Sequence, residues 1–163
     1  MPMAEFHSLL EAAGFTEVRT LLNSGNAVFR CAARSAVGHS KTIGACLHES
    51  LGLTVQVVVK SSSEFLAAVA ENTIAPPEEE HSRFLVAFAQ DQRSVQGLSV
   101  LLPLVQPPER FVVGSHAAYL HCAGGILESK AANALLGKLG RGVTTRNWTT
   151  VLKINAMLGS GVA

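Results

Sequence analysis

The chain has 163 residues, 48% of them hydrophobic and 15% charged, with a formal net charge of +1. That is enough apolar material for a core, too little charge for disorder, and no overall field to draw the molecule onto nucleic acid or a membrane. The longest apolar runs, such as 84–89, fall far short of the roughly 20 residues that cross a bilayer.

The chain opens with Phe6, Leu9, Leu10 and Ala13 at helical spacing, and Gly14 stands where a left-handed residue closes a helix. Residues 16–22 and 27–31 are rich in β-branched and apolar types. Asn23, Ser24, Gly25 and Asn26 between them favour a tight turn, so a hairpin is expected. A second helix is expected over 37–51, ended by Gly52. The alternation of Leu53, Val55, Val57 and Val59 predicts a half-buried strand, and Ser61 followed three later by Glu64 predicts a capped helix over 62–70.

Residues 75–82, with Pro76, Pro77 and three glutamates, form the one composition break and are read as a linker between a first lobe, 1–74, and a second, 83–163. Beyond it come a buried strand over 83–89 and a helix over 95–102. Strands 110–113 and 116–122 are expected to pair across Gly114 and Ser115. Two last helices, 127–139 and 148–158, are separated by 140–147. Strand, helix, strand, strand, helix in the second lobe reappears in the first without its opening strand. The expected fold is therefore α+β: two ferredoxin-like (split βαβ) lobes with antiparallel sheets, the first truncated.

Charge is uneven. Residues 1–122 carry 8 Lys and Arg against 11 Asp and Glu, a net of −3, whereas residues 123–163 carry 5 against 1, a net of +4. The basic tail holds Thr144-Thr145-Arg146-Asn147-Trp148-Thr149-Thr150 with the chain's one tryptophan. Asn147 suits an N-cap, the amides of the following turn with Arg146 suit an anion, and Trp148 offers a stacking face. Thr145, Arg146, Asn147 and Trp148 are thus candidate ligand-binding residues. Lys130 and Asn133, three apart on a helix, could add to them. Asn23, Ser24 and Asn26 join the list because side-chain amides beside a glycine offer both donors and acceptors. The competing reading is plainer: a capped helix with an anchoring tryptophan, a solvated lysine and an ordinary turn.

No zinc spacing, phosphate-cradling glycine loop or nucleophile–base pair stands out, so no metal, no cofactor and no catalytic residue is assigned. Three cysteines without a CxxC pair, Cys31, Cys46 and Cys122, suit a reducing compartment, and no secretory pattern opens the sequence, so a cytoplasmic protein is expected.

Three ordered phrases, Leu22-Asn23-Ser24-Gly25-Asn26-Ala27-Val28-Phe29, Ser129-Lys130 through Asn133-Ala134-Leu135-Leu136, and Thr144 through Val151, resemble the bacterial domain-of-unknown-function family numbered 1697. The resemblance implies two ferredoxin-like lobes and no established activity or cofactor. It also marks two departures: a strand and a basic, glycine-rich turn that usually open such proteins are missing, and Thr149 stands where asparagine is common. A split βαβ sheet without its central first strand leaves bare edges, which a rearranged pairing, an upstream piece or a homodimer replacing the missing strand would fill. The function expected is a binding protein for a nucleotide, phosphorylated metabolite or nucleic-acid segment at the basic C-terminal lobe. The alternatives are an enzyme whose Asn23–Asn26 turn meets Arg146–Trp148 between the lobes, and a protein-interaction module.

Overall fold

The computed structural model describes residues 2–21, 25–32 and 36–160. The chain folds as two units: Met1–Val59 with Ala156–Ala163, and Lys60–Asn155. The boundary falls at Lys60, so residues 75–82, expected as a linker, lie inside the second unit.

In the first unit α1 (Met3–Ala12) buries Phe6 and Leu10, and Gly14 follows at φ +99, a conformation costly for any residue with a Cβ. β1 (Thr16–Leu21) and β2 (Asn26–Arg30) form the expected antiparallel hairpin, with an irregularity between Thr16 and Arg19 where Glu17 adopts φ 50. α2 (Ala36–Leu51) ends at Gly52, φ +66. Helix and hairpin close on one apolar cluster: Phe6, Leu10, Phe15, Val18, Ile43 and Leu47. Residues 53–59 were expected as a strand. Leu53, Val57 and Val59 do pack against this cluster, but the segment joins neither sheet of the described residues. A strand is defined by its ladder, and alternation alone cannot supply a neighbour.

The second unit opens with α3 (Ser62–Glu71). Ser61 caps it as expected: its hydroxyl accepts from the Glu64 amide at 3.2 Å and donates to Glu64 Oε1 at 3.0 Å, so the glutamate holds the capping hydroxyl. A 3-10 turn over Glu78–Arg83 leads into β3 (Phe84–Ala89), buried at every position. α4 (Gln92–Gln96) continues as a 3-10 helix over Gly97–Leu104, and β4 (Arg110–Val113) and β5 (Ala118–His121) pair across a turn. That turn spans residues 114–117 and not two residues, with Gly114 N–H donating to the Ala117 carbonyl at 2.9 Å. α5 (Lys130–Leu135) is shorter than the expected 127–139. β6 (Val143–Asn147), where only a connection was expected, runs without a loop into α6 (Trp148–Ser160).

The sheet order is β4-β5-β3-β6, antiparallel throughout, which is the ferredoxin-like arrangement with the first strand of the unit in the centre. Successive side chains alternate between its two faces. Leu85, Ala87, Ala89, Ala118, Leu120 and Val143 point to α4, α5 and the 3-10 helix that follows α4, and form the larger core with Leu98, Leu101, Ala131 and Leu135. Phe84, Val86, Phe88 and Tyr119 point the other way. There α3 lies over them: Phe65 stacks on Phe88 with ring centroids 5.3 Å apart, and the Tyr119 hydroxyl reaches the Ala68 carbonyl at 2.6 Å.

Candidate functional site

The alternation along β6 sorts the C-terminal motif. In the β3–β6 ladder Val86 faces Arg146 and Ala87 faces Thr145. Arg146 therefore lies on the Phe84–Val86–Phe88 face, and Thr145 on the face that α5 covers. Two residues on, Trp148 returns to the side of Arg146, half-buried with its ring 5.2 Å from Phe84. Arg146 is half-buried too. Burial lowers its guanidinium from the ordinary value, and its Nη1 donates to the Thr145 carbonyl at 2.9 Å. Asn147 does what its type predicted: its Oδ1 accepts from the Thr150 amide at 2.9 Å and caps α6.

Within the second unit, Lys130 and Asn133 are not brought to this place. Lys130 opens α5, which packs through Ala131, Ala132 and Leu135 on the opposite face of the sheet, and its side chain is exposed. Asn133 is exposed on the same helix and its amide donates to the Leu127 carbonyl at 3.2 Å. Asn26 belongs to the first unit, where its amide closes the hairpin on the Leu21 carbonyl at 3.1 Å. Asn23 and Ser24 lie outside the described residues. The Phe84 end of the sheet also carries His121, whose buried Nε2 has no hydrogen-bond partner among the described residues and sits 3.6 Å from Glu80 Oε1.

Two polar constellations escaped the sequence reading. The first is a cavity of about 220 Å³ in the second unit, lined by Lys60, Glu64, Asp91, Gln92, Ser115 and His116 among others. Lys60 Nζ donates to the Gln90 carbonyl at 3.2 Å and lies 3.6 Å from Glu64. The Asp91 carboxyl is held below its usual range first by the Ser94 amide it caps. The sequence marks only the Ser61 cap, read as a helix start; Asp91, which caps α4, precedes the helix expected over 95–102.

The second constellation is the carboxylate of Glu71, the last residue of α3. The turn between β4 and β5 aims the Ser115 and His116 amides at it, and Tyr119 donates its hydroxyl at 2.7 Å. Burial works to raise this acid, but the three donors outweigh it and the carboxyl sits below its ordinary value. Burial first, and then the hydrogen bond to the Glu71 carboxylate and its charge, push the Tyr119 phenol far up. A Cβ on Gly114 would collide with the Glu71 carboxylate, so the turn closes on it only through glycine. Backbone donors around a carboxylate make an anion nest, here filled by the protein itself.

Among the described residues no cluster of three or more His, Cys, Asp and Glu side chains is placed to hold a metal ion, and no helix is long and apolar enough to cross a membrane. Cys31, Cys46 and Cys122 are all free thiols, and burial pushes the Cys122 thiol up to about 11.

These features define an α+β protein with two antiparallel sheets, the second in split βαβ order. The chain belongs to the protein family of unknown function DUF1697, whose profile matches residues 1–119. The motifs at 129–136 and 144–151 lie beyond that match. The fold is also similar to that of a conserved bacterial protein, SP0830 of Streptococcus pneumoniae: 22% identity, a TM-score of 0.78, and coverage of 97% of this chain and 89% of that one. No curated protein matches the chain.

Proposed function

We propose that the chain is a cytoplasmic protein that binds an anionic ligand, a nucleotide, a phosphorylated metabolite or a nucleic-acid segment, at the junction of β6 and α6. One observation carries the reading: a guanidinium partly stripped of water, Arg146, shares a sheet face with a half-buried indole, Trp148, next to a helix N-terminus. A desolvated cation gains from taking up an anion, and an indole beside it suits a base or another flat group. The +4 charge of residues 123–163 favours the same class of ligand. Asn147 supports the junction as a cap, and Thr145, facing α5, has no part in it. The free thiols accord with a reducing compartment.

Titration with inorganic pyrophosphate, adenosine monophosphate and a short oligothymidylate, read by the fluorescence of Trp148, tests this. A saturable change that weakens with salt and disappears in Arg146→Gln is expected, with a salt slope of about −0.7 per phosphate neutralised on the single strand. No change with any of the three, or an unaltered titration in Arg146→Gln, refutes it.

A further inference from the structure

The sheet face that carries Arg146 and Trp148 holds one more polar group. The strand registers set His121 of β5 opposite Phe84 of β3, and Arg146 of β6 opposite Val86. Two residues beyond Arg146, Trp148 returns to Phe84, whose fully buried ring lies 6.3 Å from the imidazole and 5.2 Å from the indole. Phe84 thus holds one ring on each side of itself, on one face of the sheet. α3 covers the other end of that face, through Phe65 on Phe88 and through Ala68 and Glu71 at Tyr119.

His121 is 9% exposed, and its buried Nε2 has no hydrogen-bond partner among the described residues. Buried polar atoms are nearly always paired, so an orphan calls for a cause. The group in front of it is the Glu80 carboxylate, 3.6 Å away and beyond hydrogen-bond reach. Glu80 belongs to the 3-10 turn Glu78–Arg83, and its second ionic contact, with Arg83 Nη1, is longer still at 4.0 Å. Neither contact is short enough to lock the carboxylate where it stands. With Glu80 turned out to solvent, Nε2 would open on the side where Arg146 and Trp148 lie. Strands about 4.8 Å apart, with a rise of about 3.4 Å per residue, put the His121 and Arg146 backbones about 12 Å apart. That span suits a ligand with a charged group at one end and a ring at the other.

We infer that the ligand of the β6–α6 junction is a mononucleotide: its phosphate meets Arg146, its base stacks on Trp148, and the base edge takes the place of the Glu80 carboxylate at His121 Nε2. The inference rests on the anion-binding reading above and narrows it to ligands that carry a heteroaromatic base. An imidazole nitrogen can donate or accept and so meets the edge of a base, whereas a bare phosphate has no ring to place there. Glu80 is the gate. The free chain holds it before Nε2, and the form competent for the base is the one with the carboxylate turned away.

Adenosine monophosphate and inorganic pyrophosphate are titrated calorimetrically into the full chain, into His121→Leu and into Glu80→Ala, with thermal melts of all three. His121→Leu should weaken the nucleotide at least about tenfold and leave pyrophosphate unchanged, since only the base loses its polar partner. Glu80→Ala should tighten the nucleotide at least about threefold, because a closed gate lowers the apparent affinity by the fraction of chains that are open. Pyrophosphate should not respond to the gate. Where His121→Leu fails to fold, Glu80→Ala, a change in a surface turn, decides. Three results overturn the inference and leave the anion site at Arg146 standing: unaltered nucleotide binding by a folded His121→Leu, an equal loss of both ligands in that variant, or nucleotide binding by Glu80→Ala that is unchanged or weaker. Binding of neither ligand to the unaltered chain would refute both readings together.

Discussion

Glutamine in place of Glu71 removes the negative charge from the nest between α3 and the turn joining β4 and β5, and leaves its shape. The carboxylate accepts from the Ser115 amide, the His116 amide and the Tyr119 hydroxyl. A hydrogen bond to a charged group contributes about 1.5–3 kcal/mol, and a carboxamide keeps one acceptor while turning an N–H toward the remaining donors. Because the three bonds share one part-exposed group they do not add, and a loss of about 2–3 kcal/mol at pH 7 is expected. For a chain of this size that lowers the melting temperature by roughly 4–12 °C.

The dependence on pH gives a second readout. The folded carboxyl lies below its ordinary 4.5, so its contribution is complete above that value and is lost as pH falls through the lower, folded one. Guanidinium titrations of both proteins at pH 7 and pH 3 should show the gap between them shrinking in acid. A gap under about 0.5 kcal/mol at pH 7, the range of an ordinary surface change, or one of equal size at both pH values would refute the reasoning.

Gly114→Ala sets a methyl group against the same carboxylate and should cost about 1–3 kcal/mol, measured by thermal melts; its effect should shrink when Glu71 is already alanine. Asn147→Ala removes the cap of α6, and a loss of about 1 kcal/mol in chemical denaturation is expected. Phe65→Ala empties the stack on Phe88 and should cost about 3–5 kcal/mol. Since α3 belongs to the second unit, hydrogen exchange in this last variant should quicken first in β3 and β5, and quickening confined to α1 and β1 would contradict the boundary at Lys60.

Local signals carried most of the fold. The caps at Ser61 and Asn147, the glycines after α1 and α2, and the turn around Gly25 each act within four residues, and each element they mark is present. β6 was missed for a local reason as well: Thr144, Thr145, Arg146 and Asn147 are polar, and a short edge strand that is half-buried on both faces shows little alternation. Residues 53–59 show the opposite failure, since their pattern is that of a strand and their pairing depends on a neighbour that the pattern cannot see.

The sites were less legible. Grouping Lys130 and Asn133 with Arg146 rested on shared charge and nearness in sequence, and the sheet separates them because the side chains of β6 alternate. Glu71 lies more than forty residues from the amides it binds, so no spacing rule could have joined them. The cavity around Lys60 draws on α3, α4 and the turn before β5, elements brought together only by packing.

The passage from β6 into α6 without an intervening loop fixes a count. Arg146 and Trp148 share a side because two residues separate them, and Asn147 serves at once as the end of a strand and the cap of a helix. One residue added between Val143 and Trp148 would exchange the sides of whatever precedes it and turn the guanidinium toward the packed helices. The 3-10 turn after Pro77 belongs to no ladder and keeps no such count, but at this corner a change of length matters more than a change of letter.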